Sequence, residues 1–225
     1  MDTSKLIYYG LLGLCLVTLL LYYKRLGKEY IMFLPLIVFA ILTQVIGDVV
    51  NQDLPLEEKK SFMFHIYQPI EYSLLALFYY QTLMGRKLKT VILITIPLFI
   101  IFCVYYYSSN SQSFSGPDFT DFTVEAILIC IFVIIFFSQL LNRRVYLTLT
   151  SYPSFWINTG NLIFYAGNLL VMGAHFYISK QDVKLAEELL VINHYSNLFL
   201  CILYLIGFGC LKKKKWSQQL SPEQL

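Results

Sequence analysis

The run FMFHIYQPIEYSLLALFYYQTL, residues 62–83, decides how the rest of the chain is read. It is long and apolar enough to cross a bilayer, yet its first half carries His65, Gln68, Pro69, Glu71 and Tyr72. A carboxyl near the centre of a span costs about 2.5–3.5 kcal/mol on insertion scales. A partner group, a proton or a wet cavity must offset that cost. The fold and the function both turn on what surrounds Glu71.

The composition around this run belongs to a membrane protein. Of 225 residues, 57% are hydrophobic, 17% aromatic and 14% charged. Soluble domains carry about 25% charged residues. Mean hydropathy is +0.62. Outward from residues 62–83, hydropathy windows predict an all-α, polytopic bundle of seven transmembrane helices at about 6–23, 30–50, 62–83, 90–107, 122–141, 154–176 and 191–211. Lys24 and Arg25 stop the first window with no small-residue cleavage site, so it reads as a retained helix. The longest connection, Ser108–Asp121, contains the turn signal Gly116-Pro117. Residues 212–225 read as a basic cytoplasmic tail. There, Lys212–Lys215 and Trp216 form an interfacial stop-transfer anchor, with anionic-lipid binding as the functional alternative.

Basic residues set the orientation. Connections after the first, third, fifth and seventh spans hold twelve of the seventeen Lys and Arg. The positive-inside rule therefore predicts an outer N-terminus and a cytoplasmic C-terminus in the plasma membrane. Asp53, Glu57, Glu58, Asp118, Asp121, Asp182, Glu187 and Glu188 then fall in outer loops.

This orientation gathers the polar groups on one side. Asp48, His65, Gln68, Glu71, Glu125, Asn168, His175, His194 and Asn197 all fall in outer halves of their spans. On the sixth span, Asn158, Asn161, Tyr165, Asn168 and His175 lie within about a 100° arc. On the third, His65, Gln68 and Tyr72 share about 60°, with Glu71 about 60° further round. The reading is an outward-facing ligand pocket from Gln68, Glu71, Tyr72, Glu125, Asn161, Tyr165, Asn168, His175 and His194, with Glu71 at its floor. Any single Asn is more often interhelical glue, at about 0.6 kcal/mol. Gly160 and Gly167 face another side and suit close helix approach.

Other chemistry has little support. The five cysteines lie singly inside apolar runs, which argues against a disulfide framework or a Cys-based zinc site. His65, His175 and His194 lack any metal-site spacing. No phosphate loop, serine-nucleophile motif or nucleic-acid signature occurs, and the seventh span has no interior lysine for a retinal Schiff base. No cofactor is implied.

Two short patterns point further. Ile46-Gly47-Asp48-Val49-Val50 echoes Ala166-Gly167-Asn168-Leu169-Leu170, and each precedes a span with a histidine near its start. This suits a three-plus-one-plus-three plan of parallel repeats, as in some small transporters. Gly47-Asp48, then His65 and Tyr67, then Gly160 through Gly167-Asn168 to Gly173, resembles the lysoplasmalogenase-like YhhN membrane family. That resemblance implies hydrolysis of the vinyl ether bond of lysoplasmalogens, with Asp48, His65 and Asn168 at the matching positions. Glu71 is a further catalytic candidate on that reading. The family usually has eight spans against seven here, and an aspartate where this chain has Asn168. Three functions follow as expectations. The first is a receptor- or sensor-like module that binds a small molecule or lipid and passes its signal to a separate membrane or cytoplasmic partner. The others are an intramembrane lipid hydrolase and a small-solute transporter.

Overall fold

A computed structural model describes residues 3–50, 62–109, 119–142, 149–178 and 183–211. The basic tail, Arg143, Arg144 and the acidic residues Asp53, Glu57, Glu58, Asp118 and Asp182 lie outside these residues. Seven α-helices make up the described fold: α1 (Thr3–Leu21), α2 (Phe33–Val50), α3 (Phe62–Thr82), α4 (Arg86–Ser109), α5 (Thr120–Asn142), α6 (Pro153–Ile178) and α7 (Val183–Cys210). No strand occurs among the described residues.

Five helices are long and apolar enough to cross a membrane: α1, α2, α4, α5 and the apolar part of α7. The other two carry His65, Gln68 and Glu71 (α3) and Asn158, Asn161, Asn168 and His175 (α6). Helix ends depart from the hydropathy windows for local reasons. Arg86–Lys89, which lies between the third and fourth hydropathy windows, is the first turn of α4. Gly85 makes the actual turn, at φ 106°, a conformation that only glycine adopts without strain. The α7 helix starts at Val183, well before its apolar window, because Lys184–Leu190 is built from good helix formers. Glu187 and Glu188 therefore belong to α7 rather than to a loop. Asp121 is likewise in the first turn of α5, where it is buried.

The helices alternate in direction. We call the end holding the N-termini of α1, α3, α5 and α7 the upper end. Packing gives a closed ring in the order α1, α2, α3, α5, α6, α7 and back to α1, with α4 outside the ring against α3. The outward faces stay apolar: Leu14, Val17, Leu98, Ile101, Val104, Ile134 and Leu170 are all exposed. Such a surface suits lipid.

The lower half of the ring is filled by aromatic rings. Phe33 of α2 reaches across it and packs edge-on against Phe78 (5.1 Å), Tyr204 (5.2 Å) and Phe208 (5.6 Å). Two glycines bring α7 close to α6. A Cβ on Gly160 would meet Leu200 Cδ1 at 3.1 Å, and one on Gly207 would meet the Pro153 carbonyl oxygen at 3.1 Å. Gly167 has nothing within 4 Å of a Cβ position, so it is no contact point. At the lower end Gln139 of α5 clamps the α3–α4 turn, accepting from Met84 N at 2.8 Å and donating to Met84 O at 2.9 Å.

Candidate functional site

The polar residues of α6 form two levels on one face. At the lower level Asn161 is fully buried, and both ends of its amide are used. Its Nδ2 donates to the Tyr79 hydroxyl at 2.9 Å, and its Oδ1 accepts from the Tyr204 hydroxyl at 2.6 Å. Three helices, α3, α6 and α7, are tied at this node. Below it, Asn158 Nδ2 donates to Ser154 O at 2.7 Å. The Ser154 hydroxyl in turn shares a 2.7 Å hydrogen bond with Tyr30 Oη.

One turn above Asn161 the arrangement changes. Tyr165 donates to Glu125 Oε1 at 3.3 Å. Its hydroxyl also faces the Glu71 carboxyl, as does that of Tyr67. The Gln68 amide faces Glu125. Two carboxyls from α3 and α5 thus meet around one tyrosine of α6. Tyr8 of α1 and Tyr204 of α7 are also close enough to feel the Glu71 charge. Glu71 therefore faces the ring interior, with neighbours from five of the six ring helices. Glu125 is 0% exposed, and its Oε2 has no partner among the described residues. Glu71, Tyr67 and Tyr8 remain partly accessible although they point into this interior. The two carboxyls and the tyrosines beside them share this part of the ring interior. We call it the chamber.

Asn168 shares the α6 face of Asn161 and Tyr165. It is 0% exposed, and neither its Oδ1 nor its Nδ2 has a partner among the described residues. Burying an amide without hydrogen bonds is costly, which sets Asn168 apart from Asn161; Asn158 lies between, with its Nδ2 bonded and its Oδ1 without a partner among the described residues.

A third polar group sits at the upper end. His65 Nδ1 lies 3.0 Å from the Tyr107 hydroxyl and 3.2 Å from Asp121 Oδ2, and Tyr107 also donates to Asp121. His65 and Asp121 are both buried. Going down α3, His65 pairs with Asp121 and Gln68 with Glu125, both of α5, and Glu71 with Tyr165 of α6.

Other candidates stand apart from the chamber. Tyr72 turns to the α4 side, where its ring lies 4.4 Å from that of Phe99. One residue beyond Glu71 is about 100° of rotation, enough to leave the ring interior. Asp48 is bonded across to α1, to Lys5 Nζ at 3.0 Å and Tyr9 Oη at 2.6 Å, and is substantially exposed. His175 is buried edge-on against Phe119 at 5.4 Å. His194 packs against Tyr8 at 6.0 Å, at the α1–α7 rim of the chamber. The three histidines thus rest on different elements. No group of three or more His, Cys, Asp or Glu suited to a metal occurs among the described residues. Asp48, His65 and Asn168 likewise have separate settings, so the hydrolytic reading gains no support from their geometry.

Sequence reasoning missed Asp121, Tyr107 and the tyrosines Tyr8, Tyr67, Tyr79 and Tyr204. One signal was present: Asp121 and Glu125 are four apart, which places them on one helical face. The tyrosines had none, since the chain has 18 of them spread through its spans.

Comparison with family models, curated proteins and solved structures finds no match for this chain. The fold and site define a class only: an all-α bundle with several helices apolar enough to cross a membrane.

Proposed function

We propose that the chain spans the plasma membrane seven times, N-terminus out and C-terminus in, and that the chamber is the ligand pocket of a receptor- or sensor-like protein. One observation carries the reading. Glu71 and the fully buried Glu125 meet in the ring interior around Tyr165, and Glu125 Oε2 has no hydrogen-bond partner among the described residues. An ionisable side chain inside a membrane bundle is expensive to keep and marks a site by default. The polar helices α3 and α6 count as spans on this reading because their neighbours cover their polar faces. The Lys and Arg distribution supports the orientation. It also gives a basic cytoplasmic face on which a separate signalling partner would dock.

A second reading, a small-solute transporter, is favoured by the helix order. Exchanging α1–α2–α3 for α5–α6–α7 maps the ring onto itself, with α4 left outside as the connector. This is the topology of a parallel repeat.

Thiol labelling tests the pocket. In a cysteine-free background, Tyr67→Cys reacts with a membrane-impermeant maleimide added outside, and Tyr79→Cys, below the node, does not. No labelling at position 67 from either side would remove the pocket. Labelling from both sides would favour the transporter. A C-terminal reporter active only outside the cytoplasm would reverse the orientation.

A further inference from the structure

We propose that the chamber takes a small organic ammonium ion, with Glu71 as its counter-charge. The inference rests on the pocket reading above and adds the class of ligand.

Charge is the first argument. Glu71 and Glu125 are near enough to feel one another, and Tyr165 lies between them. Two carboxyls in a low-dielectric interior cannot both ionise without a counter-charge. The chain supplies none from its membrane part. No Lys or Arg occurs between Leu6 and Tyr23, Ser61 and Gly85, Thr90 and Asn142, Val145 and Ser179, or Leu185 and Leu211. Lys5 is engaged by Asp48. His65 is engaged by Asp121, and His194 rests on Tyr8. Unless the carboxyls stay protonated or His194 turns in from the rim, their counter-charge comes from outside the chain.

The walls give the second argument. Tyr8, Tyr67, Tyr165 and Tyr204 surround the carboxyls. Tyrosine rings attract ammonium groups, and their hydroxyls accept N–H donors. Divalent metals suit the site poorly. Calcium takes about 6–8 oxygen ligands, and two carboxyls with phenols fall short of that.

Independent of charge, the same α6 face presents Asn168, fully buried with its whole amide unpartnered among the described residues. Its Oδ1 and Nδ2 suit a polar substituent on the ammonium compound. A hydroxyl or a second amine fits that role.

The test uses the full-length protein in maltoside micelles, which carry no amine headgroup. Ethylammonium and choline are titrated by calorimetry at constant ionic strength, beside neohexyl alcohol, the uncharged carbon isostere of choline. The expected result is saturable binding of at least one amine, at least about tenfold tighter than neohexyl alcohol, a difference of about 1.4 kcal/mol. Glu71→Gln should weaken it about tenfold or more, and Thr90→Ala on the exposed side of α4 should not change it. Neohexyl alcohol binding as tightly as choline would overturn the proposal, because the chamber would then be merely apolar. Absence of amine binding while Tyr67→Cys still labels from outside would overturn the ligand class and leave the pocket standing. Absence of both would remove the pocket too. If Glu71→Gln fails to fold, the contrast between charged and uncharged ligands on the native chain decides alone.

Discussion

Asn161 and Asn168 sit on the same face of the same helix, are both fully buried, and have opposite settings. Asn161 has a donor and an acceptor in place and joins three helices. Asn168 has neither among the described residues. The contrast continues around them. Below, Phe33, Phe78, Tyr204 and Phe208 close the ring with edge-on rings. Above, Glu71 is partly accessible and Glu125 Oε2 has no partner among the described residues. Identical side chains on one helix face thus have different settings, and satisfaction distinguishes them. A saturated polar node holds helices together.

The contrast can be broken from below. Gly207→Ile should have the largest effect, because its side chain meets the Pro153 carbonyl and Ile157 and must push α7 off α6. We expect a loss of about 1–3 kcal/mol in reversible unfolding from mixed micelles, together with loosening of the Tyr204–Asn161 bond. Tyr204→Phe disturbs no backbone. It removes one hydrogen bond and leaves the buried Asn161 Oδ1 unpaired, for an expected loss of about 1–3 kcal/mol in the same assay, toward the lower end because no helix is displaced. A third substitution sets the floor. Lys5→Met removes an exposed ion pair with Asp48 and should change stability by less than about 0.5 kcal/mol. A larger loss there would mean that polar pairs outside the two levels matter as much as those within.

Much of the helix layout was legible in the sequence, because apolar runs of span length leave few alternatives. The limits of the helices were less so. Hydropathy does not register Lys184–Leu190, whose helix is favoured by propensity rather than by apolarity. Asp121 was read as loop because it follows Gly116-Pro117 closely, yet its side chain is buried against His65. For the site, periodicity put Asn161, Tyr165 and Asn168 on one face. It did not say which helix that face meets, and so it could not separate the satisfied Asn161 from Asn168. Partner choice depends on ring order, with α3 beside α5 and reaching α6 across the interior through Tyr79, which no single-helix pattern encodes. The same limit applies to Tyr72, grouped with Gln68 by angle but packed on Phe99 of α4.

The most direct test of the two-level account substitutes the paired residues alike. Asn161→Leu and Asn168→Leu are compared by unfolding under identical conditions without added ligand. The account predicts a loss of about 1–3 kcal/mol for Asn161→Leu, since Tyr79 and Tyr204 are left with unpaired hydroxyls. It predicts no loss, or a gain of up to about 1 kcal/mol, for Asn168→Leu, since an unsatisfied buried amide is removed. Equal losses at both positions would contradict it.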